Sequence, residues 1–332
     1  MNGKTIATWV LLLVLIAGTV GASFWFDHHP QAGGPQPPVQ EESGEDSSDE
    51  GRPSEEALEQ QRQEEEAAAQ EAALAAQKEA FAQEKEQFYL MLVNPDHSLP
   101  DGYTPVTGLV QNGYELDERV VPLMEQMIAD AAADGVDLLV CSAYRSQQKQ
   151  QSLFDAQLNQ WLAAGKTQEE AYAETARAIA IPGTSEHQSG LAADIVTPSH
   201  QTLDEAFADT AAGQWLLENA WKYGFILRFP KDKEPVTQIM YESWHYRYVG
   251  VLHAKLIHDS GLCLEEYLDQ ELPENWPATD EERDQLLEGA SPLALEAQFG
   301  EAAQPAEETV DETGEDSPSV QASAADSEDA AR

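Results

Sequence analysis

Residues 182–195 read PGTSEHQSGLAADI, and residues 242–250 read ESWHYRYVG. In the first stretch Pro182 and Gly183 interrupt a helical pattern, and Ser185-Glu186-His187 is followed, seven residues after the histidine, by Asp194. In the second, Glu242 precedes His245 by three residues. Two imidazoles and one carboxylate, His187, His245 and Asp194, form a three-ligand set that leaves one position of a tetrahedral zinc for water. Zinc lowers the pKa of such a water to about 7, which suits attack on an amide carbonyl at neutral pH. Glu242 is then left over as a general base. Ser185, His187 and Asp194 also read as a nucleophilic set, but a serine two residues from its base is turned away from it on a helix, which makes this the weaker reading.

The other histidines have ordinary explanations. His28, His29 and His97 fall in linker or loop sequence, His200 follows a Pro-Ser turn, and His253 and His258 sit on a helical pattern with no i, i+4 partner. Around the two motifs the pattern alternates short helices and strands. Helices are expected over residues 117–134, 146–164, 167–180, 210–223 and 251–259, and strands over 136–141, 225–229 and 246–249. Such mixing without regular strand-helix-strand units predicts an α+β domain with a small, mostly antiparallel sheet flanked by helices.

The chain has 332 residues and 61 acids against 18 bases, a net charge of -43 that makes nucleic acid an unsuitable partner. Residues 41–90 carry -12 of this charge, residues 271–332 carry -16, and residues 91–270 carry -15. The charge thus marks two solvated flanks around one domain long enough to bury a core.

Thr5 to Phe26 holds no charged side chain, and 22 such residues span about 30 Å of hydrocarbon as a helix. Lys4 before the run and Asp27 after it orient the remainder outside the cytoplasm. Residues 1–26 read as a membrane anchor, or as a signal peptide cut near Val20-Gly21-Ala22. Residues 27–53 are a disordered acidic linker rich in Pro, Gly and Ser. Residues 54–90 turn to Glu, Ala, Gln and Lys and predict a spacer helix, with only half of a heptad seam in Ala67, Leu74, Phe81 and Phe88. The catalytic domain is expected over 91–275, and an acidic disordered tail over 276–332. Cys141 and Cys263 allow either one disulfide or two free thiols.

Three blocks, CSAYRSQQKQQSLF at 141–154, PGTSEHQSGLAADI at 182–195 and ESWHYRYVG at 242–250, resemble the zinc D-alanyl-D-alanine carboxypeptidases of the vancomycin-resistance type and their relatives, the bacterial L,D-carboxypeptidases. The second block follows the family's S-x-H-x-x-G-x-A-x-D pattern and the third its E-x-W-H-x-R-Y-V-G pattern, and the likeness extends over roughly residues 90–270. The resemblance implies a Hedgehog/DD-peptidase-like fold, zinc on His187, Asp194 and His245, Glu242 as base, and peptidoglycan stem peptides as substrate. It makes Arg145 a catalytic and substrate-side cation, a role suited to a guanidinium that is always charged. It also places Ser146, Gln150 and Ser185 along the pocket, gives Tyr144 and Trp244 as its walls, and leaves Arg228 and Arg247 to structural ion pairs. Gln147-Gln148 depart from the family, which has an aromatic-acidic pair after the YRS sequence. Two other classes compete with an enzyme: a wall-binding module with structural zinc, which usually has four protein ligands, and an envelope spacer.

Overall fold

The computed structural model describes residues 54–300. The chain divides into two units, residues 1–62 and 63–332, and the folded core lies in the second. In chain order the α-helices of five residues or more are α1 (Glu55–Glu84), α2 (Val121–Ala133), α3 (Gln147–Ala163), α4 (Gln168–Ala178), α5 (Ala211–Asn219), α6 (Val251–Ser260), α7 (Leu264–Leu268), α8 (Asp280–Leu286) and α9 (Pro292–Phe299). The strands are β1 (Thr107–Leu109), β2 (Glu115–Asp117), β3 (Leu139–Ser142), β4 (Ala192–Val196), β5 (Phe225–Phe229) and β6 (Glu242–Tyr248).

β1 and β2 form a hairpin, and the main sheet has the order β3-β4-β6-β5 with every pairing antiparallel. The expected α+β class with a small antiparallel sheet is what the chain adopts. β4 is buried at all five positions, so its AADIV sequence lacks the apolar/polar alternation of a half-exposed strand. One core gathers Leu123, Met124 and Met127 of α2, Ala193 and Ile195 of β4, Tyr246 of β6, and Leu256 and Ile257 of α6.

Local chemistry sets the boundaries. Ser146 caps α3 through a hydrogen bond from the Lys149 amide at 3.3 Å, and Thr167 with Glu170 closes a capping box on α4. The helix expected from Asp117 begins instead at Val121. Residues 115–117 are strand, and the Asp117 side chain accepts hydrogen bonds from the backbone and guanidinium of Arg119. The strand expected over 246–249 begins earlier, at Glu242, so the whole ESWHYRY segment lies in the sheet.

The expected tail is corrected over residues 276–300. Trp276 packs against Phe81 at 5.2 Å between ring centroids, α8 and α9 form, and Leu287 and Ala294 are buried. The high acid content concealed these few apolar anchors; residues 301–332 lie outside the described residues. The spacer helix ends at Glu84, not residue 90, and its last turns dock on the domain. Phe81 is buried against Tyr267, and Glu84 accepts a hydrogen bond from Tyr89 and faces His253 at 3.3 Å. Both cysteines are free thiols, pushed up by burial to about 12 for Cys141 and about 11 for Cys263. Among the described residues no helix is long and apolar enough to cross a membrane. The apolar run 5–26 and the linker 27–53 lie outside the described residues.

Candidate metal centre

Sheet register brings the two motifs together. Asp194 of β4 pairs directly with His245 of β6 and, on its other side, with Ser142 of β3. Directly opposed residues project from the same face with their side chains in contact range. Cys141 is the extra residue of a bulge in β3 beside Asp194, and the β5/β6 register shifts between Leu227 and Phe229. Bulges re-aim side chains. Here Glu242, three positions from His245, reaches the same side, with its Oε2 at 3.6 Å from His245 Nδ1.

His187 arrives from a 3-10 turn, Glu186–Ser189, instead of a strand. Its carbonyl accepts the Arg145 amide at 3.1 Å, and its ring Nδ1 meets the Ala143 carbonyl at 2.8 Å. That bond turns His187 Nε2 toward Asp194 Oδ2, 3.3 Å away. The glycine of the motif has a mechanical reason. Gly190 ends the turn at φ +76°, and a Cβ there would sit 2.9 Å from the Asp117 amide, whose proton the Gly190 carbonyl accepts.

One donor atom from each of His187, Asp194 and His245 lies within 4.8 Å of the others, and all three residues are buried. Two imidazoles and a carboxylate suit zinc, and all three line a cleft of about 330 Å³ that leaves a direction for a further ligand. Burial opposes charge on Asp194, but His187 and His245 hold its carboxyl well below the usual range. Burial also opposes charge on His245, yet the surrounding carboxylates of Asp194, Glu186 and Glu242 prevail and push it up to about 9. Burial pushes Glu242 up to about 8, partly offset by His245.

Arg145 enters the same cleft. Its Nη1 donates to Gln150 Oε1 at 2.8 Å, its Nη2 donates to Ser142 Oγ at 2.9 Å, and Nη2 lies 3.8 Å from Asp194 Oδ2. Gln150 is itself fixed by donating to the Ala180 carbonyl at 2.6 Å. Ser185, Trp244 and Gln150 line the cleft as expected. Ser146 and Tyr144 do not. Ser146 is exposed and its hydroxyl caps α3, while the Tyr144 amide is drawn to the Glu115 carbonyl at 2.7 Å. The sequence reading missed Phe229, whose ring packs 4.9 Å from that of His245. It also gave Glu186 no role, although this residue is 3% exposed and bonded to both Arg228 and Arg247. An acid next to a histidine ligand in a turn was the available signal. The expected ion pairing of Arg228 and Arg247 is present.

Fold and site together define a zinc peptidase class in which a carboxylate and a cation flank a two-histidine, one-aspartate centre. The family profile described as VanY, D-alanyl-D-alanine carboxypeptidase, matches residues 113–251. A D-alanyl-D-alanine carboxypeptidase of Enterococcus faecalis is 40% identical over 203 residues, covering 61% of this chain and 73% of the relative. A structure of VanYB in complex with D-alanine-D-alanine has 40% identity and a TM-score of 0.51, covering 56% of this chain and 99% of that one. A glutamate-to-alanine variant of the D,D-pentapeptidase VanY from the VanB-type resistance cassette, in complex with Zn(II), has 39% identity and a TM-score of 0.51, covering 55% and 100%. The chain belongs to the VanY family of D-alanyl-D-alanine carboxypeptidases and is a zinc metallopeptidase.

Proposed function

We propose that the enzyme removes the C-terminal D-alanine from peptidoglycan stem peptides, with zinc held by His187, Asp194 and His245. The observation that carries this reading is the convergence of Glu242, Arg145 and the three donors on one cleft. Bound there, zinc supplies Lewis-acid activation of a water and of the scissile carbonyl. Glu242 is the base that takes the proton of the attacking water at its carboxylate and then delivers it to the leaving amine. Arg145 keeps donors toward the cleft after bonding Gln150 and Ser142, and it receives the substrate's terminal carboxylate or the developing oxyanion. Trp244 and Phe229 provide apolar wall that keeps water from the reacting groups.

The expected result with purified protein is D-alanine release from a pentapeptide ending in D-Ala-D-Ala, lost on chelation and restored by zinc. A preference for a tetrapeptide over the pentapeptide would replace this reading with L,D-carboxypeptidase activity. The runner-up rests on Gln147-Gln148, which stand at the start of α3 in place of the family's aromatic-acidic pair.

The proposal extends to location. The uncharged run from Thr5 to Phe26 tethers the domain outside the cytoplasm, with residues 27–53 as linker and α1 as spacer. Cell fractionation should find the chain in the membrane pellet and a version lacking residues 1–26 in the soluble fraction. Equal partition of the two would remove the tether.

A further inference from the structure

The turn that carries His187 also carries Glu186, which the chemistry above leaves unused. Glu186 Oε1 accepts hydrogen bonds from Arg228 Nε and Arg247 Nη1, both at 2.7 Å. Its other oxygen, Oε2, has no such partner, and neither does the buried Nε2 of His245. These two atoms face each other at 3.5 Å. Burying two polar atoms unpaired is costly, and a small adjustment joins them in one hydrogen bond. The opposite ring nitrogen, Nδ1, faces Asp194 Oδ1 at 3.1 Å and Glu242 Oε2 at 3.6 Å.

We propose that Glu186 is a positioning residue: its carboxylate accepts the Nε2–H of His245 and so fixes that ring as an Nδ1 donor to the metal. This deepens the zinc reading and rests on His187, Asp194 and His245 as the ligand set. A metal-ligating histidine commonly donates its other N–H to a carboxylate, which selects the tautomer and locks the ring. A half-turn of the His245 ring would set carbon atoms against both Glu186 and Asp194, and the Phe229 ring 4.9 Å away narrows the space for it. Arg228 and Arg247, both with no exposed side-chain surface, hold the Glu186 carboxylate in place from its other oxygen. One turn of chain therefore delivers a metal ligand, His187, and the anchor of a second ligand, His245. That accounts for an acid at position 186 between Ser185 and His187.

The test uses the full zinc-loaded chain labelled with 15N-histidine. Long-range proton-nitrogen correlation spectra should show His245 protonated at Nε2 and bare at Nδ1. A proton on Nδ1 overturns the proposal without any mutation. In parallel, Glu186→Gln is titrated against a chelating zinc indicator, with folding checked by circular dichroism. A neutral amide that must choose between accepting and donating is expected to weaken zinc binding about 10–100-fold. Wild-type zinc affinity in folded Glu186→Gln overturns the proposal. His245→Ala binding zinc as tightly as wild type would instead overturn the ligand set beneath it.

Discussion

Glutamine in place of Glu242 is expected to lower kcat by roughly 10²–10⁴-fold while zinc content and KM stay close to wild type. The side chain is nearly isosteric, so the cleft keeps its shape, but an amide takes no proton from water. Glu242 suits the task by placement: it opens β6, its side chain is 13% exposed, and its Oε2 sits 3.6 Å from His245 Nδ1. Burial raises its pKa to about 8, and a cation among the three donors acts in the opposite direction, favouring the carboxylate. Steady-state rates and metal analysis on the same preparation make the check. A Glu242→Gln enzyme with full kcat would remove the residue from the mechanism, and loss of zinc alongside activity would make it part of the metal site instead.

How much of this was legible in the sequence depended on whether a residue's role is local. His187, Asp194, Glu242 and His245 were found from chemistry-bearing residues at short spacings, and the sheet register then brought the two motifs side by side. The helices capped by Ser146 and Thr167 were found to within two residues because capping is a matter of adjacent side chains. β4 went unassigned because a strand buried on both faces shows no alternation. The hairpin of β1 and β2 went unseen because its strands are three residues each. α8 and α9 were hidden by charge: the segment is acidic on average, and its packing depends on isolated contacts such as Leu287, Ala294 and the Gln298 side-chain Oε1 that accepts the Leu252 amide. Ser146 was over-read for the complementary reason, since one hydroxyl serves a cap or a pocket and spacing does not say which. The importance of Glu186 emerged only when Arg228 and Arg247, far apart from it in sequence, were seen to close on one of its oxygens.

Leucine at Arg247 is expected to cost roughly 3–5 kcal/mol of stability, because it removes one of the two guanidiniums that neutralise the buried Glu186 and leaves Arg228 to be shared with Glu265. In a domain of this size that corresponds to a fall in Tm of roughly 6–20 °C. Arg247 has no exposed surface and saturates its surroundings: Nη1 binds Glu186, Nη2 binds the carbonyls of Tyr89 and Met91, and Nε binds the Tyr248 carbonyl. The substitution therefore leaves a carboxylate and three carbonyls short of donors in a space that excludes water. The loss also has a direction along the chain. Residues 89–91 lead from α1 into the domain, so the guanidinium pins the entry of the chain to β6. Removing the charge on both sides should cost less than the sum of the parts: Glu186→Leu with Arg247→Leu is expected to recover about 0.5–3 kcal/mol relative to additivity, since no uncompensated Glu186 remains. Arg228 limits the recovery, although it keeps its two bonds to Glu265 at 2.6 and 2.8 Å. Denaturant unfolding of the two single variants and the double variant, all in the zinc-free state, measures the coupling apart from metal binding. Strict additivity would mean that Arg247 stabilises the domain through the carbonyls of residues 89, 91 and 248 alone, with no energetic link to the turn that bears His187.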